Sequence, residues 1–379
     1  MKNIAIIGST GSIGVQTLNV IRRYPEEFNV VSLSAGNNAE LLIEQVREFR
    51  PEIATVKKIS EEQKKAFPKG TALYTGENAF TESIIGKVDL VVVALVGFTG
   101  IVAVLDAINK GKNIALANKE SLVVGGELVT AKAKEKGVTI LPIDSEHSAI
   151  WQALSFDFNK RFKRIILTAS GGAFRDRTIE ELKSVRAADA LKHPTWNMGA
   201  KITIDCATLV NKAFEVTEAK WLYNADFDDI DVIIHRESVI HSMVEYEDGS
   251  TIAQMSYPTM ELPIQIALAY PERLKSAVRS LNFAELGKLT FEELDRNKYP
   301  CFAEVLSAVK RGGCYPAAVN GANDTAVELF LKDRISYGDI YRAIAGVNDA
   351  FSDGGKVDYE NIKQANEFAV RYVKEKFGE

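Results

Sequence analysis

The segment from Lys2 to Arg23 does most to limit the fold. An apolar run, Ile4-Ala5-Ile6-Ile7, passes directly into Gly8-Ser9-Thr10-Gly11-Ser12-Ile13-Gly14 and then into a helix-like stretch. Strand, glycine turn and helix in that order open a dinucleotide-binding unit, where backbone N–H groups and a helix N-terminus meet a pyrophosphate. A glycine turn with no ligand is the plain alternative, and the place between first strand and first helix argues against it. Apolar runs at Val30–Leu33, Ile53–Val56, Leu90–Val93, Asn113–Ala117 and Val138–Ile143 alternate with helical stretches such as Ala39–Phe49. That alternation predicts a Rossmann-type α/β domain with a parallel sheet wound on both sides.

From about Trp151 the pattern changes. Arg164–Thr168, Asp231–Ile234, Ser242–Tyr246 and Thr251–Met255 read as strands of a mixed sheet, the last two joined by an Asp248-Gly249 hairpin turn. Ala317–Leu331, Tyr337–Phe351 and Tyr359–Lys374 read as helices; in the last, Ile362, Ala365, Phe368, Ala369 and Tyr372 recur at helical spacing. The expected order is a dinucleotide-binding domain over 1–144, an α+β catalytic domain with a mixed sheet over 145–270, a connector over 271–300 and a C-terminal helical bundle over 301–379.

Composition excludes some classes. A net charge of −5 does not suit a dedicated nucleic-acid binder. The uncharged stretch Leu90–Leu105 is shorter than the roughly 20 residues of a membrane span, and Gly97 and Gly100 interrupt it. Three scattered cysteines make no disulfide framework and suit a reducing compartment. The opening strand leaves no room for a signal peptide, so a cytoplasmic location without membrane partners is expected.

The chemistry concentrates in a few segments. Asp144-Ser145-Glu146-His147 ends an apolar strand. In an extended backbone its two carboxylates point to one side and repel unless a proton or a hard cation such as Mg²⁺ or Mn²⁺ lies between them. An exposed acidic loop is the competing reading. After the second strand, Ser34-Ala35-Gly36-Asn37-Asn38 lacks the acid that holds the ribose 2′-hydroxyl of NAD, which favours NADP. Leu116-Ala117-Asn118-Lys119-Glu120-Ser121 puts a lysine and an amide on the same sheet edge. Ser170-Gly171-Gly172 at a strand end suits a phosphate, and Lys192–Gly199 has the make-up of a closing lid. Lys212 and Glu215 share a helix face, as an ordinary surface ion pair would. The four histidines, His147, His193, His235 and His241, all fall in the middle third, a hint that chemistry lies there.

Together, Gly8–Gly14, Leu116–Ser121, Leu141–His147, Ser170–Phe174, His193–Gly199, Asp205–Glu215 and Ser238–Ser242 resemble the 1-deoxy-D-xylulose 5-phosphate reductoisomerases along essentially the whole chain. The resemblance implies conversion of that sugar phosphate to 2-C-methyl-D-erythritol 4-phosphate in non-mevalonate isoprenoid biosynthesis. A metal-assisted intramolecular rearrangement would precede reduction by NADPH, with Mg²⁺, Mn²⁺ or Co²⁺ as the ion and a homodimer as the working form. It implies Asp144, Glu146 and Glu215 as metal ligands, and Thr10, Gly11, Ser12 and Ile13 at the pyrophosphate. Gly36, Asn37, Asn38, Asn118, Glu120 and Gly199 would complete the cofactor site. Ser145, Ser170, His193, Trp196, Cys206, Asn211, Lys212 and Met260 would hold substrate, and Lys119, Glu146 and His241 would serve the chemistry. Three positions depart from the family's pattern: Asn37 replaces a lysine, Cys206 a serine and Ala213 a glycine.

Two other readings share parts of this pattern. A metal-free dehydrogenase of the homoserine or aspartate-semialdehyde type also fits the glycine turn and Ala117-Asn118-Lys119; the latter type needs a nucleophilic cysteine, for which Cys206 is the tempting residue. A non-catalytic NADP sensor is the third. A metal requirement for substrate-dependent NADPH oxidation separates them.

Overall fold

The computed structural model describes residues 1–191, 198–275 and 278–378. In chain order its strands and helices are β1 (Lys2–Ile7), α1 (Ser12–Arg23), β2 (Phe28–Ala35), α2 (Ala39–Phe49), β3 (Ile53–Val56), α3 (Glu61–Lys65), β4 (Ala72–Thr75), β5 (Leu90–Val93), α4 (Gly100–Asn109), β6 (Asn113–Leu116), α5 (Glu120–Lys136), β7 (Ile140–Pro142) and α6 (Ser145–Ala153). Then come β8 (Arg164–Ala169), α7 (Ile179–Leu182), α8 (Ala187–Ala190), α9 (Ala200–Thr208), α10 (Val210–Tyr223), β9 (Ile230–Ile234), β10 (Ile240–Glu245) and β11 (Thr251–Met255). The chain ends through α11 (Glu261–Ala269), α12 (Phe283–Leu286), β12 (Glu292–Glu293), α13 (Pro300–Arg311), α14 (Tyr315–Leu331), α15 (Tyr337–Ala350) and α16 (Tyr359–Phe377).

These elements form two compact units. The first comprises Met1–Asn118, Val129–Ser148 and Thr259–Arg279. Its parallel seven-stranded sheet has the order β4-β3-β2-β1-β5-β6-β7. Without β4 this is the dinucleotide-binding order, with the winding reversing between β1 and β5. Leu90–Val93 is buried throughout, as a central strand covered on both faces must be. Residues 259–279 belong with this unit, not with the catalytic domain and connector expected from sequence. There α11 packs on α1, and Arg23 pairs with Glu261 at 2.6 Å. The Lys2 ammonium donates to the carbonyls of Leu268 and Tyr270 at 2.7 and 2.9 Å.

The second unit comprises Lys119–Leu128, Ala149–Pro258 and Ser280–Glu379. Its mixed sheet has the order β11-β10-β8-β9-β12, with only β8 and β9 parallel. Gly249, at φ +82, makes the expected hairpin turn. Helices α13–α16 form the expected helical region, with Val305, Ala322, Ile344 and Ala369 fully buried in its core.

Candidate active site

In the first unit Gly8 and Gly14 of the opening motif are dictated by close approach. Gly8 has φ +94, and a Cβ there would lie 2.6 Å from the carbonyl oxygen of Ala94, just past β5. A Cβ on Gly14 would strike the carbonyl of Gly8 and the backbone of Ser9. The turn is clamped from below: the Ser9 hydroxyl donates to Gln45 Oε1 at 2.7 Å, and Gln45 Nε2 donates to the Ser9 carbonyl at 2.9 Å. Gly11 is the N-cap of α1 and makes no side-chain cap, so Thr10, Gly11, Ser12 and Ile13 form a helix N-terminus suited to an anion. At the end of β2, Asn37 is exposed, while Asn38 caps α2 by accepting from Leu41 N–H at 3.1 Å. The Asn118 amide is also spoken for, donating to the carbonyls of Leu95 and Gly97 at 3.0 and 3.1 Å. Met260 is the N-cap residue of α11.

The acidic tetrapeptide is not extended, which corrects the sequence reading. Ser148 N–H donates to the Asp144 carbonyl at 2.8 Å, so Asp144 opens α6 and Glu146 lies in its first turn. The Ser145 N–H donates to Asp144 Oδ1 at 3.1 Å and the Ser145 hydroxyl to Glu146 Oε2.

In the second unit Lys119, Asn211, Lys212 and Glu215 form one buried cluster. Lys119 Nζ donates to Asn211 Oδ1 at 2.8 Å and to Glu215 Oε1 at 3.2 Å. Asn211 Nδ2 donates to Glu215 Oε1, and Lys212 Nζ to Glu215 Oε2. The surface ion pair weighed above is therefore excluded: the Lys212 and Glu215 side chains are 4% and 1% exposed. Burying an ion costs several kcal/mol, roughly, unless partners of opposite charge surround it, and here two ammonium groups and an amide surround one carboxylate. Glu215 is held as an anionic, hard oxygen donor.

Cys206 lies on α9, half-buried. Burial raises its thiol pKa well above the ordinary value, with Glu215 adding to the effect against Lys119 and Lys212. The Cys206 backbone abuts the Ser170 loop: a Cβ on Gly172 would collide with its carbonyl. Gly199 is the N-cap of α9. His241 is buried on β10, its carbonyl accepting from the hydroxyls of Thr168 and Ser242. His193 and Trp196 lie outside the described residues.

Two features escaped the sequence reading. Lys201 Nζ joins Glu120, Asp205 and Asp324, at 3.5, 2.7 and 3.0 Å. Burial opposes its charge, yet those three carboxylates hold its pKa well above the usual lysine value. The Lys201/Asp205 spacing of four on one helix was a legible signal; the arrival of Asp324 from α14 was not. His235 is the second. Its Nε2 accepts from the N–H groups of Val239 and Ile240, each at 3.2 Å, so Nδ1 carries the proton and faces the Thr290 carbonyl at 2.9 Å. This histidine braces the backbone of the β9–β10 connection, with the Glu237 carboxylate also 3.1 Å from Nδ1.

A dinucleotide-binding sheet without an acid after β2, in a chain that also buries a Lys–Asn–Lys–Glu cluster, defines an NADP-dependent oxidoreductase. Residues 4–126 match the family model for 1-deoxy-D-xylulose 5-phosphate reductoisomerase, 140–223 that for its C-terminal domain, and 255–372 the DXP reductoisomerase C-terminal domain. A 1-deoxy-D-xylulose 5-phosphate reductoisomerase of Clostridium perfringens (strain 13 / Type A) is 44% identical over 383 residues, covering 100% of both chains. One from Gloeobacter violaceus is 43% identical over 385 residues, covering 99% of this chain and 97% of its own. Among solved structures, a DOX-P reductoisomerase in complex with NADPH, fosmidomycin and magnesium has a TM-score of 0.94 at 37% identity, covering 100% of this chain and 98% of its own. The Zymomonas mobilis enzyme in complex with NADPH has a TM-score of 0.92 at 35% identity, covering 98% of each. The chain belongs to the 1-deoxy-D-xylulose 5-phosphate reductoisomerase family.

Proposed function

We propose that this protein converts 1-deoxy-D-xylulose 5-phosphate to 2-C-methyl-D-erythritol 4-phosphate, using NADPH and a divalent metal ion, in isoprenoid biosynthesis. The buried Lys119–Asn211–Lys212–Glu215 cluster, in a chain matching this family end to end, is the observation that carries the reading. Asp144, Glu146 and Glu215 hold the ion in this proposal. The donor set fits: three carboxylates and no sulfur suit Mg²⁺, Mn²⁺ or Co²⁺. When bound, the ion would supply Lewis acidity for the rearrangement, and NADPH would supply the hydride.

The chain's own residues divide the remaining work. Lys119 and Lys212 place two positive charges where oxygen charge develops during the rearrangement, and both are preorganised by Glu215. Ser145 and Asn211 orient hydroxyls. Ser170, Cys206 and His193 hold the phosphate, and Trp196 covers the carbon skeleton against water. Met260 borders the substrate, and His241 stands beside the reacting carbons. Thr10–Ile13, Gly36–Asn38, Asn118, Glu120 and Gly199 take the cofactor. In this reading the working form is a homodimer in the cytoplasm. Among the described residues no helix is long and apolar enough to cross a membrane.

The thiol-dependent dehydrogenase reading fares worse, because burial pushes the Cys206 thiol pKa up, opposite to the lowering that makes a cysteine nucleophilic. NADPH consumption with 1-deoxy-D-xylulose 5-phosphate should stop on adding a chelator and return with Mg²⁺ or Mn²⁺. Turnover that ignored the chelator would sink the metal-assisted reading. Glu215→Gln should lower kcat by roughly a thousandfold or more while NADPH still binds; near-normal activity would remove Glu215 from the ligand set.

A further inference from the structure

The loop Ser170-Gly171-Gly172 leaves β8 with φ +83 at Gly171 and +70 at Gly172, a shape its own side chains do not enforce. Its restraints come from side chains outside the turn, near and far in sequence. Tyr299 Oη donates to the Gly171 carbonyl at 2.9 Å. Arg175 Nη1 donates to the carbonyls of Ser170 and Arg236, each at 3.2 Å, and Lys298 Nζ donates to the Arg175 carbonyl at 2.6 Å. Because a trans peptide is planar, its C=O and N–H point in opposite directions. Fixing the Gly171 carbonyl therefore fixes the N–H of Gly172, and that N–H donates to Ser170 Oγ at 3.3 Å. A hydroxyl oxygen that already accepts is biased to donate its own proton, as an oxyanion requires.

We propose that Tyr299 is a positioning residue for the substrate's phosphate, acting through the Gly171–Gly172 peptide to set the Ser170 hydroxyl as a donor. The proposal rests on the reading of Ser170 as a phosphate contact. Tyr299 is only 5% exposed, and burial pushes its phenol up to about 12, so it remains a donor through any practical assay range. A purely structural tyrosine would affect stability alone. One that positions Ser170 affects substrate affinity and leaves the cofactor untouched.

The test is a double-mutant cycle in the full-length enzyme, reading KM for 1-deoxy-D-xylulose 5-phosphate, KM for NADPH, kcat and Tm. Tyr299→Phe should raise the substrate KM about five- to tenfold, the scale of one lost hydrogen bond, with kcat and the NADPH KM within about twofold. Ser170→Ala should raise it about tenfold or more, and the double variant should be no worse than Ser170→Ala alone. Arg175→Gln, which releases the Ser170 carbonyl, is read the same way if Tyr299→Phe folds poorly. An unchanged substrate KM in Tyr299→Phe beside a raised one in Ser170→Ala overturns the inference and spares the phosphate reading. An unchanged KM in Ser170→Ala overturns both. Effects that multiply in the double variant show that Tyr299 acts somewhere other than Ser170.

Discussion

The protein has two glycine turns, each at the carboxyl end of a strand and each proposed to meet phosphate, and they are built by opposite means. Gly8–Gly14 is shaped within the first hundred residues: Gly14 packs on Gly8, Gln45 of the next helix clamps Ser9, and Gly8 lies against Ala94 just past β5. Ser170–Gly172 is shaped by Arg175 close by, but also by Lys298 and Tyr299, more than 120 residues away. A turn that must serve one invariant pyrophosphate can be written into a short contiguous motif. The second turn is held by residues close to the C-terminal helices, so its geometry is tied to the fold of the whole second unit.

Alanine at one glycine of each turn separates the two. Gly14→Ala should have the largest effect: its Cβ meets backbone, which cannot yield without moving α1. Overpacking of this kind costs about 1–3 kcal/mol, which if spent on the bound geometry weakens NADPH about 100-fold at the upper end. Gly172→Ala should raise the substrate KM about tenfold and spare NADPH, since its strain falls on Cys206. Equal losses of both ligands in both variants, measured by fluorescence titration of NADPH and by steady-state kinetics, would break the contrast.

Cys206→Ser should lower the substrate KM a few-fold, roughly, because a hydroxyl is the better donor. The raised thiol pKa also makes a directional prediction. Alkylation of Cys206 should be slow near neutrality and accelerate with each step in pH beyond the ordinary thiol range, since only the thiolate reacts. Rapid modification at pH 7 would contradict the raised thiol pKa. The smallest effect belongs to Asn37→Lys, which should lower the KM for NADPH about two- to threefold and leave NADH unchanged. A matched change in both cofactors would show that position 37 does not face the 2′-phosphate.

Legibility in the sequence followed the same division. Strands β1, β3 and β5, the hairpin at Gly249 and the late helices were readable because local periodicity and turn chemistry determine them. Strand β4 was not, since Ala72–Thr75 is an edge strand with mostly exposed side chains and no buried alternation. The extended geometry expected of Asp144–Glu146 failed because the strand ends at Pro142, and the Asp144 carbonyl is already engaged by Ser148. At the site, contiguous motifs surrendered their residues. The Lys201–Asp324 contact and the Tyr299 brace depend on tertiary neighbours that no local pattern encodes.

The return of α11 to the first unit has a consequence for biogenesis. Lys2, Arg23 and Tyr24 find their partners among residues 261–270, so strands made first wait for a helix made much later. At synthesis rates of about 5–20 residues per second, that interval is on the order of ten seconds or more. A fragment ending at residue 144 should therefore be markedly less resistant to proteolysis than the first unit within the complete chain. Nascent chains should gain that resistance only once α11 has cleared the ribosome; protection already complete at residue 144 would show that the helix is dispensable for folding.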